Sequence, residues 1–137
     1  KLLFSLWCIR SKCSTDKKIM GLAVYNTNHK IDIFVPVHNE EKTIGNLIYL
    51  INDRLAKIGY SSVIWVVDDG SIDLTAKILD EIRKSIPNLH ILRNADRIGI
   101  GDFFKKVVIY SSSRIFGIVD ADGQYDVEEF AELLEFS

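Results

Sequence analysis

From Lys30 onward the chain alternates short, unbroken apolar runs with longer stretches whose apolar residues recur every three or four positions. Residues 31–35 (Ile-Asp-Ile-Phe-Val) predict a strand stopped by Pro36. Ile44, Leu47, Ile48, Ile51, Leu55 and Ile58 then recur at helical spacing until Gly59 closes the run. Asn39 is placed to cap that helix, with Glu40 and Glu41 in a first turn where the helix dipole favours negative charge. Residues 63–67 predict a second strand. Asp73 is placed to cap a second helix that carries Leu74, Ile78, Ile82 and Ile86 on one face before Pro87. A short third strand over 89–92, a third helix opened by Asp102 and running to Tyr110, and a fourth strand over 115–119 follow. Asp126, with Glu129 three residues later, resembles a capping box and opens a last helix ending at 133–136.

Strands that alternate with helices imply an α/β fold: a Rossmann-like, mostly parallel sheet with helices on both faces. The runs 64–67 and 115–119 lack polar alternation, as strands buried on both sides should. In such sheets ligands bind beyond the carboxyl ends of the strands. Three polar clusters fall at those ends: Pro-Val-His-Asn-Glu at 36–40, Asp-Asp-Gly-Ser at 68–71 and Asp-Ala-Asp-Gly-Gln at 120–124. One such cluster is ordinary turn chemistry. Three on one edge make a site.

The third cluster carries the most specific chemistry. Side chains two apart on an extended backbone point the same way, so Asp120 and Asp122 can face one ligand together. Two carboxylates held that close repel unless a cation lies beside them. A hard divalent ion that prefers oxygen ligands, with phosphate on its far side, answers that need. An isolated Asp-x-Asp is more often a turn; its place on the fourth strand reverses that reading.

Composition narrows the field without naming a function. The 137 residues suit one domain or part of a larger one, 47% hydrophobic and 26% charged as in ordinary globular chains. A net charge of −2 gives no electrostatic reason to expect nucleic acid. Residues 1–29 form an ill-defined lead-in, separate from the domain at 30–137. Its apolar stretch at 2–9 is too short to span a bilayer, so no transmembrane segment is expected. Cys8 and Cys13 lack histidines at zinc-finger spacing and read as free thiols. His29 and His90 read as surface or strand-edge residues, Trp65 as core, and Lys105-Lys106 as a solvated helix face.

Taken in order, several motifs resemble the nucleotide-sugar-binding half of a family 2 inverting glycosyltransferase with the GT-A fold, in the style of the dolichol- or polyprenyl-phosphate sugar transferases. They are Phe-Val-Pro-Val-His-Asn-Glu-Glu at 34–41, Val-Val-Asp-Asp-Gly-Ser at 66–71 with Asp73 and Thr75, Arg93-Asn94, Gly99-Ile100-Gly101, and Val-Asp-Ala-Asp-Gly-Gln at 119–124 with Asp126. The resemblance implies that Pro36, Val37, Asn39 and Glu40 line the pocket for base and ribose. It implies that Asp68 or Asp69 accepts hydrogen bonds from the nucleotide, with Gly70 permitting close backbone approach and Arg97 and Gly99 nearby. Asp120 and Asp122, with Gln124, would hold Mg2+ or Mn2+ against the diphosphate, beside Ala121. The implied partners are a UDP- or GDP-linked sugar and a lipid-phosphate acceptor, at the cytoplasmic face of a membrane.

The chain also departs from that pattern. Ile100 stands where relatives often carry lysine between two glycines, and Arg97 is the candidate replacement charge. Asp-Phe-Phe-Lys-Lys at 102–106 replaces a small-residue helix start, residues 111–114 replace a Gly-Asp, and Val127 replaces a proline. The acceptor-binding half would normally follow Ser137, so this chain alone is expected to bind sugar nucleotide weakly and not to turn over. Two other readings stand beside it. A phosphoacceptor receiver domain would carry its acidic pair on the first strand, where this chain has Pro-Val-His-Asn-Glu. A non-catalytic nucleotide-binding remnant would bind with metal and transfer nothing.

Overall fold

The computed structural model describes residues 29–122, the short strand at 7–8, and positions 127, 131, 132 and 134. In chain order the elements are β1 (Trp7–Cys8), β2 (His29–Val37), α1 (Ile44–Lys57), β3 (Tyr60–Asp69), α2 (Thr75–Ile82), β4 (Leu89–Asn94), α3 (Ile100–Tyr110) and β5 (Ile115–Ile118). They build one sheet in the order β1-β5-β2-β3-β4. β5, β2, β3 and β4 run parallel, and β1 adds an antiparallel edge beside β5. The order reverses at β2, between β3 and β5, and beyond that point an α/β sheet opens a crevice at its carboxyl edge.

Alternation along the strands sorts the core into two layers. Ile31, Ile33 and Val35 of β2, with Ile64 and Val66 of β3, pack with Ile44, Ile48, Ile51 and Leu55 of α1 and Leu79 and Ile82 of α2. Phe34, Val67 and Phe116 face the other way and pack with Phe103 and Val107 of α3. Phe34 stacks on Trp65 at 6.2 Å and meets Phe116 edge-on at 6.3 Å. Trp65 is therefore a packing residue, and His90 lies against it at 4.5 Å. Asp32, fully buried, accepts backbone N–H groups from Ser112 (2.6 Å) and Ser113 (2.8 Å) and so ties the α3–β5 turn to the sheet.

Of the element boundaries that differ from the sequence expectation, three have a plain local reason. β2 runs through Pro36 rather than stopping there. The Phe34 carbonyl accepts the Val119 N–H at 3.0 Å, so Phe34 and Pro36 turn toward β5, and Pro36 lies beyond the last paired residues, Phe34 and Ile118. The missing proline N–H thus costs no ladder bond. Asn39 does not cap α1: its φ is +58°, and the helix starts at Ile44 after a turn in which Thr43 and Ile44 donate to the Glu40 carbonyl. Glu40 and Glu41 consequently precede the first helical turn. α3 begins at Ile100, after Gly99 at φ +97°, and Asp102 sits within its first turn instead of opening it. Asp126 and Glu129 lie outside the described residues, while Val127, Ala131, Glu132 and Leu134 are helical.

Candidate functional site

Two loops at the carboxyl edge are stitched together residue by residue. Asn39 donates its N–H to the Ser71 hydroxyl (3.0 Å), and its side-chain oxygen accepts the Ile72 N–H (2.8 Å). Glu40 donates its N–H to Thr75 Oγ1 (2.9 Å). Asp73 receives the N–H groups of both Glu41 (3.2 Å) and Thr75 (2.9 Å), and Glu41 receives that of Leu74 (3.0 Å). Asp73 thus serves the start of α2 as its sequence position suggests, and also the neighbouring loop. His38 meets the Asp69 carbonyl through Nδ1 at 2.9 Å. A carbonyl only accepts, so Nδ1 carries the proton, and Nε2 accepts from the Asn39 amide at 3.2 Å.

Asp68 and Asp69 are adjacent and divide the work, because they end β3 on opposite faces. Asp68 is buried on the α2 side, receives the Ser71 N–H at 3.0 Å and lies 3.9 Å from the Arg93 guanidinium. Asp69 turns toward α3. Its carboxylate takes the N–H groups of Ile98 (2.9 Å) and Gly99 (2.8 Å) and the Asn94 side-chain amide (2.7 Å). Burial pushes the Asp69 carboxyl up, but these donors together outweigh it and hold the group below the ordinary carboxylate range. Gly70, at φ +72°, packs against the same loop: a Cβ there would fall 2.7 Å from the Asp96 carbonyl carbon and 2.8 Å from the Arg97 nitrogen. The close backbone approach it permits is that of residues 96–97.

The Asp-Ala-Asp turn follows β5. Ala121 is buried, and its carbonyl accepts the Thr43 hydroxyl at 2.7 Å; the same hydroxyl lies 2.9 Å from the Glu40 carboxylate. Asp120 and Asp122 are exposed on either side of Ala121. Partial desolvation, and then the negative charge of Asp122, push the Asp120 carboxyl above its ordinary value. Two carboxylates thus carry like charge on one short turn. Among the described residues no three His, Cys, Asp or Glu side chains converge as an all-protein metal cage. Two exposed carboxylates on one turn instead fit a hard cation whose remaining ligands are phosphate oxygens and water.

These pieces surround one cleft of about 400 Å³. β2 and its loop contribute Pro36, Val37, His38 and Glu40; β3 contributes Asp69; the loop into α3 contributes Arg97 and Gly99. Asp120, Ala121 and Asp122 close the opposite side. Asn39, Asp68 and Gly70 support the walls without lining them, and Gln124 lies outside the described residues. Arg97 is exposed and makes no hydrogen bond or ion pair among the described residues, which leaves its guanidinium available to an anion. Sequence reasoning gave no role to Thr43, and none of their own to Asn94, Ile100 and Phe103, of which Ile100 and Phe103 give the cleft an apolar patch. It also took Lys106 for a solvated residue; its ammonium is bonded to Asn94 and Asp102. The Asp-x-x-x-Lys spacing within α3 was the available signal.

A parallel sheet that reverses its order above an acidic cleft is the architecture of an α/β domain of the GT-A type. The comparisons agree: residues 32–137 match the profile of glycosyl transferase family 2, and the chain belongs to that family. It is 28% identical over 108 residues to the dolichyl-phosphate beta-glucosyltransferase ALG5D of Trichomonas vaginalis, covering 75% of this chain and 33% of that protein. Residues of the chain also superpose on TarS 1-349 of S. aureus with a TM-score of 0.59 at 25% identity, covering 78% of this chain and 32% of the other. The mannosyltransferase PcManGT of Pyrobaculum calidifontis, crystallised with GDP-Man and Mn2+, shares the fold at a TM-score of 0.58 and 22% identity over 77% of this chain and 31% of its own. The chain thus spans about a third of the length of the proteins it matches.

Proposed function

We propose that this chain is the donor-binding part of a glycosyltransferase that uses a nucleoside-diphosphate sugar, a divalent cation (Mg2+ or Mn2+) and a lipid-phosphate acceptor, with inversion at the transferred sugar. The observation that carries the reading is the joint lining of one cleft by His38 and Glu40, by Arg97, and by the Asp120–Asp122 pair. Base and ribose lie against Pro36, Val37, His38 and Glu40, where an apolar strand end meets polar loop groups. Asp68, Gly70 and Asn39 act from behind, by holding the two walls in register. Asp69 is taken up mainly by the Ile98–Gly99 loop, so it shapes the pocket more than it reads the base.

Asp120 and Asp122, with Gln124 as a third oxygen donor, would hold the cation, and Arg97 would meet the diphosphate. A bound cation would supply positive charge to offset the negative charge of the departing diphosphate. A phosphate acceptor is already anionic and needs little help from a base. The Trichomonas relative is a dolichyl-phosphate beta-glucosyltransferase, which supports a lipid-phosphate acceptor and, with it, work at a membrane face. No helix among the described residues is long and apolar enough to cross a membrane. The receiver-domain reading has no support, since β2 ends in Pro36-Val37 and His38 follows.

Calorimetric titration of UDP- and GDP-sugars, with and without Mn2+, tests the reading. The expected outcome is Mn2+-dependent binding of at least one sugar nucleotide; binding of none, or binding indifferent to the cation, contradicts it.

A further inference from the structure

Lys106 lies well inside α3, away from the cleft lining, yet only 17% of its side chain is exposed. Its ammonium donates to the Asn94 side-chain oxygen at 2.8 Å and to the Asp102 carboxylate one turn earlier. The Asn94 amide in turn donates to Asp69 (2.7 Å) and to Asp102 (3.1 Å). Asp69 then receives the backbone N–H groups of Ile98 and Gly99. The chain of contacts ends at the loop whose Arg97, Gly99 and Ile100 line the cleft.

The orientation of Asn94 is set by this arrangement. Its oxygen must face the donor-only ammonium, which leaves its amide protons for the two carboxylates. Remove the ammonium and two things follow. The Asn94 side chain loses the partner that dictates its flip, and Asp69 and Asp102 are left sharing one amide with no cation between them. Like charges around one amide repel, and an Asn94 side chain freed to flip would turn its acceptor oxygen toward those carboxylates and give up its hold on Asp69. Part-burial makes the loss larger than it would be on an open surface.

We propose that Lys106 is a positioning residue for the sugar-nucleotide pocket: through Asn94 and Asp69 it holds the 94–99 loop, and with it Arg97, in a binding-ready arrangement. The proposal rests on the donor-binding reading above for its effect on ligand, but not for its effect on the loop. The Asp120–Asp122 turn hangs from a different anchor, Thr43, so cation binding without nucleotide is independent of Lys106. A side chain that merely contributed to overall stability would not separate the two.

The test uses Lys106→Met, Lys106→Arg and Asn94→Ala in the chain as it stands. Amide hydrogen exchange is followed at Ile98 and Gly99 against the core strand amides of Ile64 and Val66, beside titrations of UDP and GDP with Mn2+ and of Mn2+ alone. Lys106→Met is expected to speed exchange at Ile98 and Gly99 at least tenfold with the core amides unchanged. It is expected to weaken nucleoside diphosphate at least fivefold and to leave Mn2+ alone unaffected. Lys106→Arg restores most of both effects, and Asn94→Ala reproduces the loss with Lys106 in place. Unchanged exchange at Ile98 and Gly99 in both Lys106→Met and Asn94→Ala overturns the proposal, as does exchange that rises equally in the core. If no nucleotide binds the unaltered chain, the donor-binding reading fails while the exchange data still decide the role of Lys106. Should Lys106→Met not fold, Asn94→Ala carries the same test.

Discussion

The Thr43 hydroxyl, at the start of α1, donates to the carbonyl of Ala121, 78 residues away, at 2.7 Å. This bond fixes the middle residue of the Asp-Ala-Asp turn, and so sets where the two flanking carboxylates point. Because the same hydroxyl also lies against Glu40, it joins the two sides of the cleft.

Thr43→Val keeps the shape and removes the donor. It is expected to cost about 1 kcal/mol of stability, the usual value of one such bond. It should also weaken Mn2+-dependent nucleotide binding several-fold, and Thr43→Ser should restore both. Urea unfolding and calorimetric titration of the two variants check this.

Two glycines with positive φ separate conformational strain from crowding. Gly59, at +80°, has no atom within 4 Å of an added Cβ, whereas Gly70, at +72°, has the backbone of residues 96–97 there. Gly59→Ala should cost about 1 kcal/mol from the left-handed backbone alone. Gly70→Ala adds a clash with backbone that cannot swing aside and should cost about 3 kcal/mol. Parallel denaturant melts read the difference, and equal costs would contradict the close packing of Gly70 on the 96–97 loop.

Acid should loosen the same loop before it unfolds the sheet. Asp69 and Asp73 both lie below the ordinary carboxylate range. For each, burial acts upward and is outweighed: by the donors of Ile98, Asn94 and Gly99 for Asp69, and by those of Thr75 and Glu41 for Asp73. A carboxyl with a depressed folded pKa stabilises the fold fully above its unfolded value, about 3.9, and loses that contribution as the pH falls through the folded pKa. The stability these two groups supply should therefore be flat from pH 7 to about pH 5 and fall below about pH 4. Urea unfolding across that range should show a shallower acid decline in Asp69→Asn than in the unaltered chain.

The parallel strands and the helices between them were legible because their apolar periods are strong: the 31–35 run lies within β2, most of the 115–119 run forms β5, and Ile44, Leu47, Ile48, Ile51 and Leu55 are the buried face of α1. What misled was local. Asn39 followed by two glutamates reads as a helix cap, yet its side chain is claimed by Ile72, a partner no sequence window contains. Pro36 reads as a strand stop because the register that spares its missing N–H depends on where β5 ends. The Asp-Ala-Asp pair stood out only through its i, i+2 spacing taken together with its place after the fourth strand. The division between Asp68 and Asp69 follows from the same alternation, but the loop that Asp69 holds is a tertiary fact. So is the placement of Thr43, which no motif announces.

The central claim, that Asp120 and Asp122 hold a divalent cation against a sugar nucleotide, is tested most directly by paramagnetic broadening of backbone amide resonances during Mn2+ titration in the presence of UDP or GDP. Broadening should centre on residues 120–122 and reach 38–40 and 97–99 while sparing Tyr60 at the far end of β3, and Asp122→Asn should abolish it. Broadening centred elsewhere, or unchanged in Asp122→Asn, would contradict the account.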